Sequence, residues 1–318
     1  MLKHLELNVP YVILFYERGV AMVYTVTLNP AVDYLMRLDN LKINKINRSV
    51  GETVTFGGKG INVSLILNEL SIASIATGFT AGFTGVALEE GIACENIKSD
   101  FVRLGSGMTR INVKLRTGNE TDINASGPNV TKDDIDRLMQ KLSTVKSGDI
   151  VVLSGSVPPT MPKNIYQDIM VALKDKGVRF VVDAEGQVLI DTLKCKPFLI
   201  KPNKEEIEAI FGQSVATKEK ALEYALKLKE MGAENVIVSL GKDGAVLADS
   251  LGKQHFMSAK SGTCLNTVGA GDSMVAGFIA GYLETNDFEY ALKLGTAAGS
   301  ATAASDGLAG RDKILQFM

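Results

Sequence analysis

The stretch DIVVLSGSVPPTMPKNIYQDIMVALKDKGVRFVVDAEG, residues 149–186, holds the unit that decides the fold. It opens with the apolar run DIVVLSG, continues with the helical pattern NIYQDIMVALKDKG and closes with a second apolar run, RFVVDAEG. Short β-branched runs bounded by glycine and polar residues are typical of buried strands. A strand, a helix and another strand in succession predict two parallel strands joined by a crossover helix.

The same alternation continues along most of the chain. Parallel strands linked by helices bury both faces of their sheet, so the sequence predicts an α/β fold with a doubly wound, mostly parallel sheet and helices on both faces. Further strands are predicted at residues 23–30, 197–203, 235–241 and 244–250, and further helices at residues 131–145 and 217–232.

A region early in the chain breaks this rhythm. Its segments YLMRLDNLKINKINRSVGETVTF and TRINVKLRTGNETDINAS alternate polar and apolar residues, and one helical segment, GINVSLILNELSIA, lies between them. Alternation without helices predicts a small, half-exposed sheet that stands off the main body. We expect this sheet to use about residues 33–56 and 107–125.

The first 22 residues contain one short apolar run, VPYVILFY, bounded by charged residues. The run is too short to span a bilayer and lacks the small-residue cleavage site of a signal peptide. We therefore expect residues 1–22 to be a non-core extension, with Met22 as a candidate initiator, and residues 23–318 to form a single domain.

Composition excludes several classes of function. The 34 Lys and Arg residues nearly balance the 36 Asp and Glu residues, which argues against a protein that binds nucleic acid or a membrane surface. The three cysteines are widely separated, so they predict neither a disulfide framework nor a metal site and indicate a cytoplasmic protein. The two histidines, His4 and His255, are expected at the surface, which argues against a zinc site or a Ser-His-Asp triad.

Polar residues and glycines follow several predicted strands. In open α/β sheets ligands bind beyond the carboxyl ends of the strands, so these residues are candidates for a site. A turn after a strand explains each of them alone, but not all of them together. They are Asn29, Pro30 and Asp33, then Ser154, Gly155 and Ser156, then Lys201, Asn203 and Glu206, and finally the segment GKDG at 241–244.

The segment NTVGAGDSMVAGFIAGYL, residues 266–283, is the strongest single signal. Its apolar residues recur at helical spacing after Gly269-Ala270-Gly271, so these three residues open a predicted helix. Unpaired backbone N–H groups at a helix N-terminus bind anions, and glycines let a ligand approach the backbone closely. Asp272 is then either a carboxylate that interacts with the helix dipole or a general base beside an anion hole.

Two other phosphate-binding loops do not fit the sequence. FGGKGIN has glycine after its lysine and threonine where a Walker A loop begins with glycine, so it is not a P-loop. The run that starts at Gly269 has Met274 in place of the last glycine of a dinucleotide fingerprint and lies late in the chain. A nicotinamide enzyme is therefore a weak alternative.

Four motifs, named at the end of this paragraph in the order in which they occur along the chain, resemble those of the ribokinase/PfkB carbohydrate kinase superfamily. The segments TLNPAVD and LSGSVPP and the lysine of GGKGIN are similar to its branch of 1-phosphofructokinases and tagatose-6-phosphate kinases, whose substrates already carry a phosphate. The resemblance runs from about Val23 to the C-terminus and implies a ribokinase-like fold with a small β-sheet lid. The four motifs are FGGKGINVS, KPNKEE, SLGKDG and NTVGAGDSMVAGF.

The resemblance implies a nucleotide side of the site. It makes Asp272 the base and the backbone of Gly269, Ala270 and Gly271 the anion hole. Asn203 and Glu206 match an N-x-x-E motif near ATP and Mg²⁺, with Glu206 acting on the metal through water and Lys201 beside them; a capping box is the alternative. The turn with Ser239, Gly241 and Gly244 matches a nucleotide-binding turn, and an ordinary hairpin is the alternative.

The resemblance also implies a sugar side. Asp33 matches an aspartate that binds sugar hydroxyls, and Gly57 and Gly58 match a hinge-like pair below the lid. We take Lys59, Asn62 and Arg110 as candidates to hold the existing phosphate and its neighbouring hydroxyls, because Arg and Lys suit phosphate. A surface arginine is the alternative for Arg110. The resemblance implies that the lid closes over the sugar to exclude water and that a homodimer can form through the lid.

The expected activity is an ATP- and Mg²⁺-dependent sugar-phosphate kinase that converts fructose 1-phosphate to fructose 1,6-bisphosphate. A tagatose-6-phosphate kinase has the same motifs and remains open as an alternative. A catalytically silent sensor of sugar phosphate or nucleotide is the alternative from a different class, and the presence of Asp272 with its glycines argues against it. The expected partners are small molecules, with no nucleic acid and no membrane.

Overall fold

The structure is a computed structural model that describes residues 21–118, 120–260 and 262–318. The expected N-terminal extension lies outside these residues apart from Ala21 and Met22, as does His4. Among the helices of the described residues, none combines the length and the apolar character that a membrane crossing needs.

A ten-stranded sheet forms the centre of the fold, in the order β14-β13-β12-β11-β10-β9-β1-β4-β5 with β6 paired to β4. Its strands are parallel except at one edge, where β12, β13 and β14 pair antiparallel. The predicted mostly parallel sheet is confirmed. The strands are β1 Val23–Thr27, β4 Ser74–Ala81, β5 Lys98–Ser99, β6 Val102–Leu104, β9 Ile150–Ser154, β10 Arg179–Asp183, β11 Leu199–Ile200, β12 Asn235–Ser239, β13 Ala245–Ala248 and β14 Gln254–Met257.

Helices cover both faces of this sheet, as predicted. Helices α1, α8, α9 and α10 pack on one face, helices α3 to α7 pack on the other, and α2 packs near the small sheet. The helices are α1 Lys59–Glu69, α2 Gly82–Cys94, α3 Lys132–Leu142, α4 Ile165–Leu173, α5 Gly186–Thr192, α6 Lys204–Phe211, α7 Lys218–Glu230, α8 Ala270–Thr285, α9 Phe288–Ala303 and α10 Arg311–Gln316.

A separate four-stranded sheet, in the order β3-β2-β7-β8, contains the polar alternating segments. Its strands alternate because one face is buried: Val32, Phe56 and Ile111 lie side by side on that face and pack against α2. The opposite face carries polar residues. The predicted small sheet is confirmed, and its strands are β2 Ala31–Arg37, β3 Gly51–Gly57, β7 Arg110–Arg116 and β8 Glu120–Ile123.

His255 differs from its expected place at the surface. It lies on β14, and its Nε2 is 2.8 Å from Asp249 Oδ2. The Asp249 carboxylate also accepts hydrogen bonds from the backbone N–H groups of Leu251 and Lys253, which closes the turn between β13 and β14. The segment GKQHF resembles a loop in sequence because strand β14, which carries this histidine, is only four residues long.

Helices α8 and α9 approach each other closely at glycines, and this contact gives a test of the packing. A Cβ on Gly277 would lie 2.7 Å from the carbonyl oxygen of Leu294 and 2.9 Å from Gly295 Cα. Overpacking of this kind costs about 1–3 kcal/mol, so Gly277→Ala should lower the free energy of unfolding by that amount. Gly105→Ala is the matched control, because a Cβ there meets nothing within 4 Å. Equal urea midpoints for the two variants would contradict the close contact.

Candidate active site

The apolar layer of the main sheet ends in a row of polar residues at the carboxyl ends of four neighbouring strands. Asp183 pairs in register with Ser154, and the pairing of the preceding residues places Thr27 beside Ser154 and Lys201 beside Asp183. All four side chains are buried. A Cβ on Gly60 of α1 would lie 2.5 Å from Thr27 Oγ1 and 3.3 Å from Ser154 Oγ, so the start of α1 lies directly over this row.

The start of α8 forms a second wall of the site. Gly269 precedes the helix with φ 81°, a left-handed conformation that favours glycine, and no side chain caps this helix. The backbone N–H of Ala270 donates to the carbonyl of Thr267 at 3.3 Å and that of Ser273 donates to the carbonyl of Gly269 at 2.8 Å. The amides between them have no partner within the helix, so they can bind an anion. Lys201 Nζ lies 3.2 Å from the position that a Cβ on Gly271 would occupy, which adds a positive charge to the same place. The glycine loop, the helix start and Lys201 together can bind a phosphate.

Asp272 lies in the first turn of α8 and is only 5% exposed. Its Oδ2 accepts a hydrogen bond of 2.7 Å from Asn62 Nδ2. Burial, followed by repulsion from Asp183, raises the pKa of Asp272 to about 6, although Asn62, Lys59 and Lys201 oppose the shift. A carboxylate with a pKa close to neutral can act as a general base.

Asp183 is part of the site but is missing from the sequence-based candidates. It is 1% exposed, and neither of its carboxylate oxygens accepts a hydrogen bond within the described part of the chain. Its Oδ1 lies 3.4 Å from Lys201 Nζ and 3.6 Å from Lys59 Nζ. The signal that could have found it is its place at the end of the predicted strand RFVVDAEG, where a polar residue meets the carboxyl edge of the sheet.

Lys59 begins α1 and reaches across to the end of β10. Its Nζ lies 3.6 Å from Asp183 Oδ1 and 3.6 Å from Glu185 Oε1. Burial lowers the pKa of Lys59, but the carboxylates of Asp183, Asp272, Glu185 and Glu206 outweigh it, so the pKa lies above its ordinary value. Lys59 therefore remains a cation beside the buried acids.

Asn203 and Glu206 form the capping box that the sequence left as an alternative. Glu206 Oε2 accepts from the backbone N–H of Asn203 and Asn203 Oδ1 accepts from that of Glu206, both at 2.8 Å. Burial raises the pKa of Glu206, partly offset by the Asn203 backbone and Lys201. Asn203 and Ser239 also form an isolated parallel β-bridge through their backbones, so the N-x-x-E segment and the SLGKDG turn are neighbours.

The SLGKDG segment forms a hairpin, which its sequence left open as the alternative to a nucleotide-binding turn. It joins the antiparallel strands β12 and β13, with Gly241 at φ 58° and Gly244 at φ 97°. The backbone N–H of Leu240 donates to the carbonyl of Gly244 at 2.8 Å, which closes the turn. A nucleotide contact at this hairpin remains a prediction.

The sugar-side candidates meet where the small sheet reaches α1. A Cβ on Gly57 would lie 3.7 Å from Asp33 Oδ2 and 3.8 Å from Asn62 Oδ1, so these two polar groups flank Gly57. Asn62 in turn binds Asp272, which links the small sheet to the start of α8. Gly58 precedes α1 at φ 131°, so the chain between sheet and helix depends on glycine.

Arg110 lies at the end of β7 nearest the main sheet and is half-buried. Its Nε donates to the carbonyl oxygen of Asn29 at 3.1 Å, and burial lowers the pKa of Arg110. Asn62 contacts Asp272 directly, and Lys59 interacts with Asp272 electrostatically. Arg110 instead binds the loop after β1 through Asn29.

Comparisons with known proteins agree with this geometry. Residues 26–313 match the pfkB family carbohydrate kinase. A 1-phosphofructokinase of Bacillus subtilis is 42% identical over 93% of this chain and 97% of its own, and a D-tagatose-1-phosphate kinase of Bacillus licheniformis is 35% identical over 93% and 97%. A crystal structure of phosphofructokinase-2 from Escherichia coli with substrates and products superposes with a TM-score of 0.88 at 28% identity, covering 93% of this chain and 98% of that one.

These relatives cover nearly the whole chain. Their named activities are phosphotransfers to an alcohol group, and kinases of this family use ATP with a metal ion. The fold, the motifs and the relatives therefore lead to one assignment: the chain belongs to the pfkB family of carbohydrate kinases.

Proposed function

We propose that this kinase transfers the γ-phosphoryl group of ATP to the C6 hydroxyl of fructose 1-phosphate, forming fructose 1,6-bisphosphate and ADP. The observation that carries the proposal is Asp272, a buried carboxylate with a raised pKa, placed between the anion-binding start of α8 and the sugar-side residue Asn62. The activity named for the Bacillus subtilis relative, at 42% identity, supports the choice of sugar.

The proposed reaction is one in-line displacement. Asp272 accepts the proton of the C6 hydroxyl as that oxygen forms a bond to the γ-phosphorus. The bond from the γ-phosphorus to the bridging oxygen breaks, and its electron pair leaves with ADP. The backbone of Gly269, Ala270 and Gly271, together with Lys201, stabilises the charge on the transferring group. The proton ends on Asp272, whose burial favours the neutral form.

Mg²⁺ fits the acids beside this phosphate site. Within the described residues no group of three or more His, Cys, Asp or Glu side chains could hold a metal ion by itself. Mg²⁺ keeps several waters and is commonly bound by one or two carboxylates plus substrate phosphates. The carboxylate oxygens of Asp183, buried without hydrogen-bond partners, and Glu206 would hold such an ion, with Glu206 acting through water. When bound, the ion would neutralise charge on the ATP phosphates.

A cavity of about 300 Å³ beside α9 is a place for the adenine base. Thr296 lines it, and Thr302, six residues further along α9, contacts Ser273 in the first turn of α8 at 2.8 Å. Six helical residues span about 9 Å, comparable to the distance from the γ-phosphate of ATP to its base. The Thr296 hydroxyl is buried without a partner. The other lining residues are Met257, Ser258, Ala259, Lys260, Lys293, Ala297, Phe317 and Met318.

On the sugar side, Asp33, Asn62, Lys59 and Arg110 would bind the hydroxyls and the existing phosphate, with Gly57 and Gly58 as the hinge below the small sheet. This sheet would act as a lid. Beyond the part that α2 covers, the apolar face of this sheet exposes Val54 and Ile123, and we propose that a second copy of the chain covers them in a homodimer. Light scattering of the wild type should give the mass of a dimer, and a concentration-independent monomer would refute this part.

The experiment that tests the function measures ADP production from Mg·ATP with a panel of sugars. The panel holds fructose 1-phosphate, tagatose 1-phosphate, fructose 6-phosphate, tagatose 6-phosphate and unphosphorylated fructose. The highest kcat/KM with fructose 1-phosphate supports the proposal. The highest value with tagatose 6-phosphate replaces it with the tagatose-6-phosphate kinase, and binding of both ligands without turnover of any sugar favours the sensor.

Lys59→Ala should raise the KM for the sugar phosphate much more than the KM for ATP. The lysine begins α1, the helix that also carries the sugar-side candidate Asn62, and it retains its charge, so we expect it to pair with the phosphate that the substrate already carries. Losing a hydrogen bond to a charged group costs about 1.5–3 kcal/mol, which corresponds to about 10- to 100-fold in KM. Initial rates with each substrate varied in turn measure this, and a larger change for ATP would move Lys59 to the nucleotide side.

A further inference from the structure

Lys114 occupies a place on the small sheet that the proposed reaction leaves unexplained. It lies on β7 two residues beyond Asn112, and Asn112 pairs in register with Asp33 of β2. Alternate residues of a strand share a face, so Asp33, Asn112 and Lys114 lie on the polar face of the sheet. Lys114 Nζ is 3.0 Å from Asp33 Oδ2, and the two side chains are only 14% and 18% exposed.

The Asp33 carboxylate is held at both of its oxygens by one strand. Asn112 Nδ2 donates to Oδ1 at 2.8 Å, and the Lys114 ammonium lies at Oδ2. This arrangement fixes the plane of the carboxylate. The Asn112 Oδ1 atom is buried without a hydrogen-bond partner, so a second acceptor lies beside the fixed carboxylate. Two oriented acceptors can receive two hydroxyl groups of a sugar in one relative arrangement.

The charge of Lys114 has a second effect. The substrates of the proposed reaction are anions, and an unpaired carboxylate on the lid would repel them. Lys114 neutralises Asp33, so the lid can present that carboxylate to a sugar phosphate. Arg116, the next cation on the same face, pairs with Glu120 and Asp122 instead. Arg110, at the start of the same strand, also attracts Asp33, but its Nε donates to the carbonyl of Asn29, and it is Lys114 that forms the ion pair with the sugar-binding carboxylate.

We propose that Lys114 is a positioning residue that, with Asn112, fixes Asp33 so that the kinase distinguishes ketose 1-phosphates that differ in the configuration of one hydroxyl. The inference rests on the proposed function. The 1-phosphofructokinase of Bacillus subtilis and the D-tagatose-1-phosphate kinase of Bacillus licheniformis are named for two such sugars. Fructose 1-phosphate and tagatose 1-phosphate differ only in the configuration at C4. A carboxylate held in one orientation accepts a hydroxyl from one configuration better than from the other, because the mismatched hydroxyl leaves a buried polar group unpaired.

The test compares Lys114→Met and Lys114→Arg with the wild type, with Lys163→Met as the control at an exposed lysine of the main body. We expect Lys114→Met to raise the KM for fructose 1-phosphate by about 10- to 100-fold, with a much smaller change in kcat and none in the KM for ATP. The ratio of kcat/KM for fructose 1-phosphate to that for tagatose 1-phosphate should fall toward one. Lys114→Arg should recover most of both quantities.

Equal losses of kcat/KM for the two sugars in Lys114→Met would overturn the inference, as would an unchanged KM. A double-mutant cycle with Asp33→Asn supplies a second readout: non-additive effects support action through Asp33, and additive effects refute it. If Lys114→Met folds poorly, seen as a lower melting temperature, Lys114→Gln replaces it in the comparison of the two sugars and in the cycle. Failure of the wild type to use fructose 1-phosphate would refute the proposed function, which is a separate result.

Discussion

Asp272→Asn is expected to lower kcat by about 10²- to 10⁴-fold, the usual contribution of a positioned general base. The amide cannot accept the proton of the attacking hydroxyl, yet it retains the shape of the carboxylate at the start of α8. The affinity for ATP should change little, since the amides of the glycine loop and Lys201 remain. Initial rates and a titration of nucleotide binding measure the two quantities, and near-wild-type turnover would remove Asp272 from the mechanism.

The stability of the same variant distinguishes loss of the base from loss of the fold. The pKa of Asp272 is about 6 in the folded chain, against about 3.9 for an aspartate in an unfolded chain. A raised folded-state pKa contributes stability that is fully present below the unfolded value and is lost as the pH rises through the folded value. At neutral pH the buried charge therefore costs about 2–3 kcal/mol.

Asp272→Asn should accordingly unfold at a higher urea concentration than the wild type at pH 7.5, and this advantage should disappear near pH 4. A variant that is both more stable and nearly inactive at neutral pH has lost chemistry and not structure. Lower stability at pH 7.5 would mean that the carboxylate is part of the packing of α8. Enzymes often retain such unfavourable groups at the site because activity requires them.

The parts of the site that the sequence revealed are local in the chain. The glycine loop, Asp272 and the apolar periodicity of α8 lie within 18 residues, so spacing alone indicates a helix start that binds an anion. The strand and helix alternation is local as well, which explains why the α/β fold and the small sheet were both predicted correctly.

The parts that the sequence did not reveal depend on contacts between distant segments. The pair of Asp33 and Lys114 requires the parallel register of β2 and β7, which no local pattern specifies. Asp183 joins Lys59 and Lys201 only because β10 lies beside β9 and β11. A polar residue at one strand end has an ordinary explanation as part of a turn, and the sheet order is needed to show that several of them meet.

A capping residue and a ligand-binding residue can also be the same residue. Asn203 and Glu206 satisfy each other's backbone N–H groups at the start of α6, as any capping box does. They nevertheless lie beside Lys201 and the SLGKDG hairpin, at the carboxyl edge of the sheet. The sequence left the two roles as alternatives because it gives the spacing of a motif but not its surroundings.

The activity is expected to fall on the acid side of pH 6, because protonated Asp272 cannot act as the base. With a single titrating group of pKa about 6, kcat/KM for the sugar phosphate should be about tenfold below its plateau at pH 5 and about 100-fold below it at pH 4. The phosphate of the substrate has a second pKa near 6 and titrates in the same range. The pH at which kcat/KM falls, here called the acid limb of the profile, therefore does not identify the base when it is measured in one protein alone. A change in the pH of the acid limb between two variants does identify it.

Asp183→Asn should move the acid limb to lower pH. After burial, repulsion from Asp183 is the main cause that raises the pKa of Asp272, so removing that negative charge lowers it while the substrate titrates as before. Glu185→Gln is the matched control: it removes a carboxylate that also lies 3.6 Å from Lys59, but an exposed one that does not raise the pKa of Asp272. The pH profiles of kcat/KM for both variants are compared by the pH at which activity falls to half its plateau, because Asp183→Asn also removes a proposed Mg²⁺ ligand and should lower the plateau itself. A limb that stays in place in Asp183→Asn, or moves equally in both, would mean that repulsion from Asp183 does not set the pKa of the base.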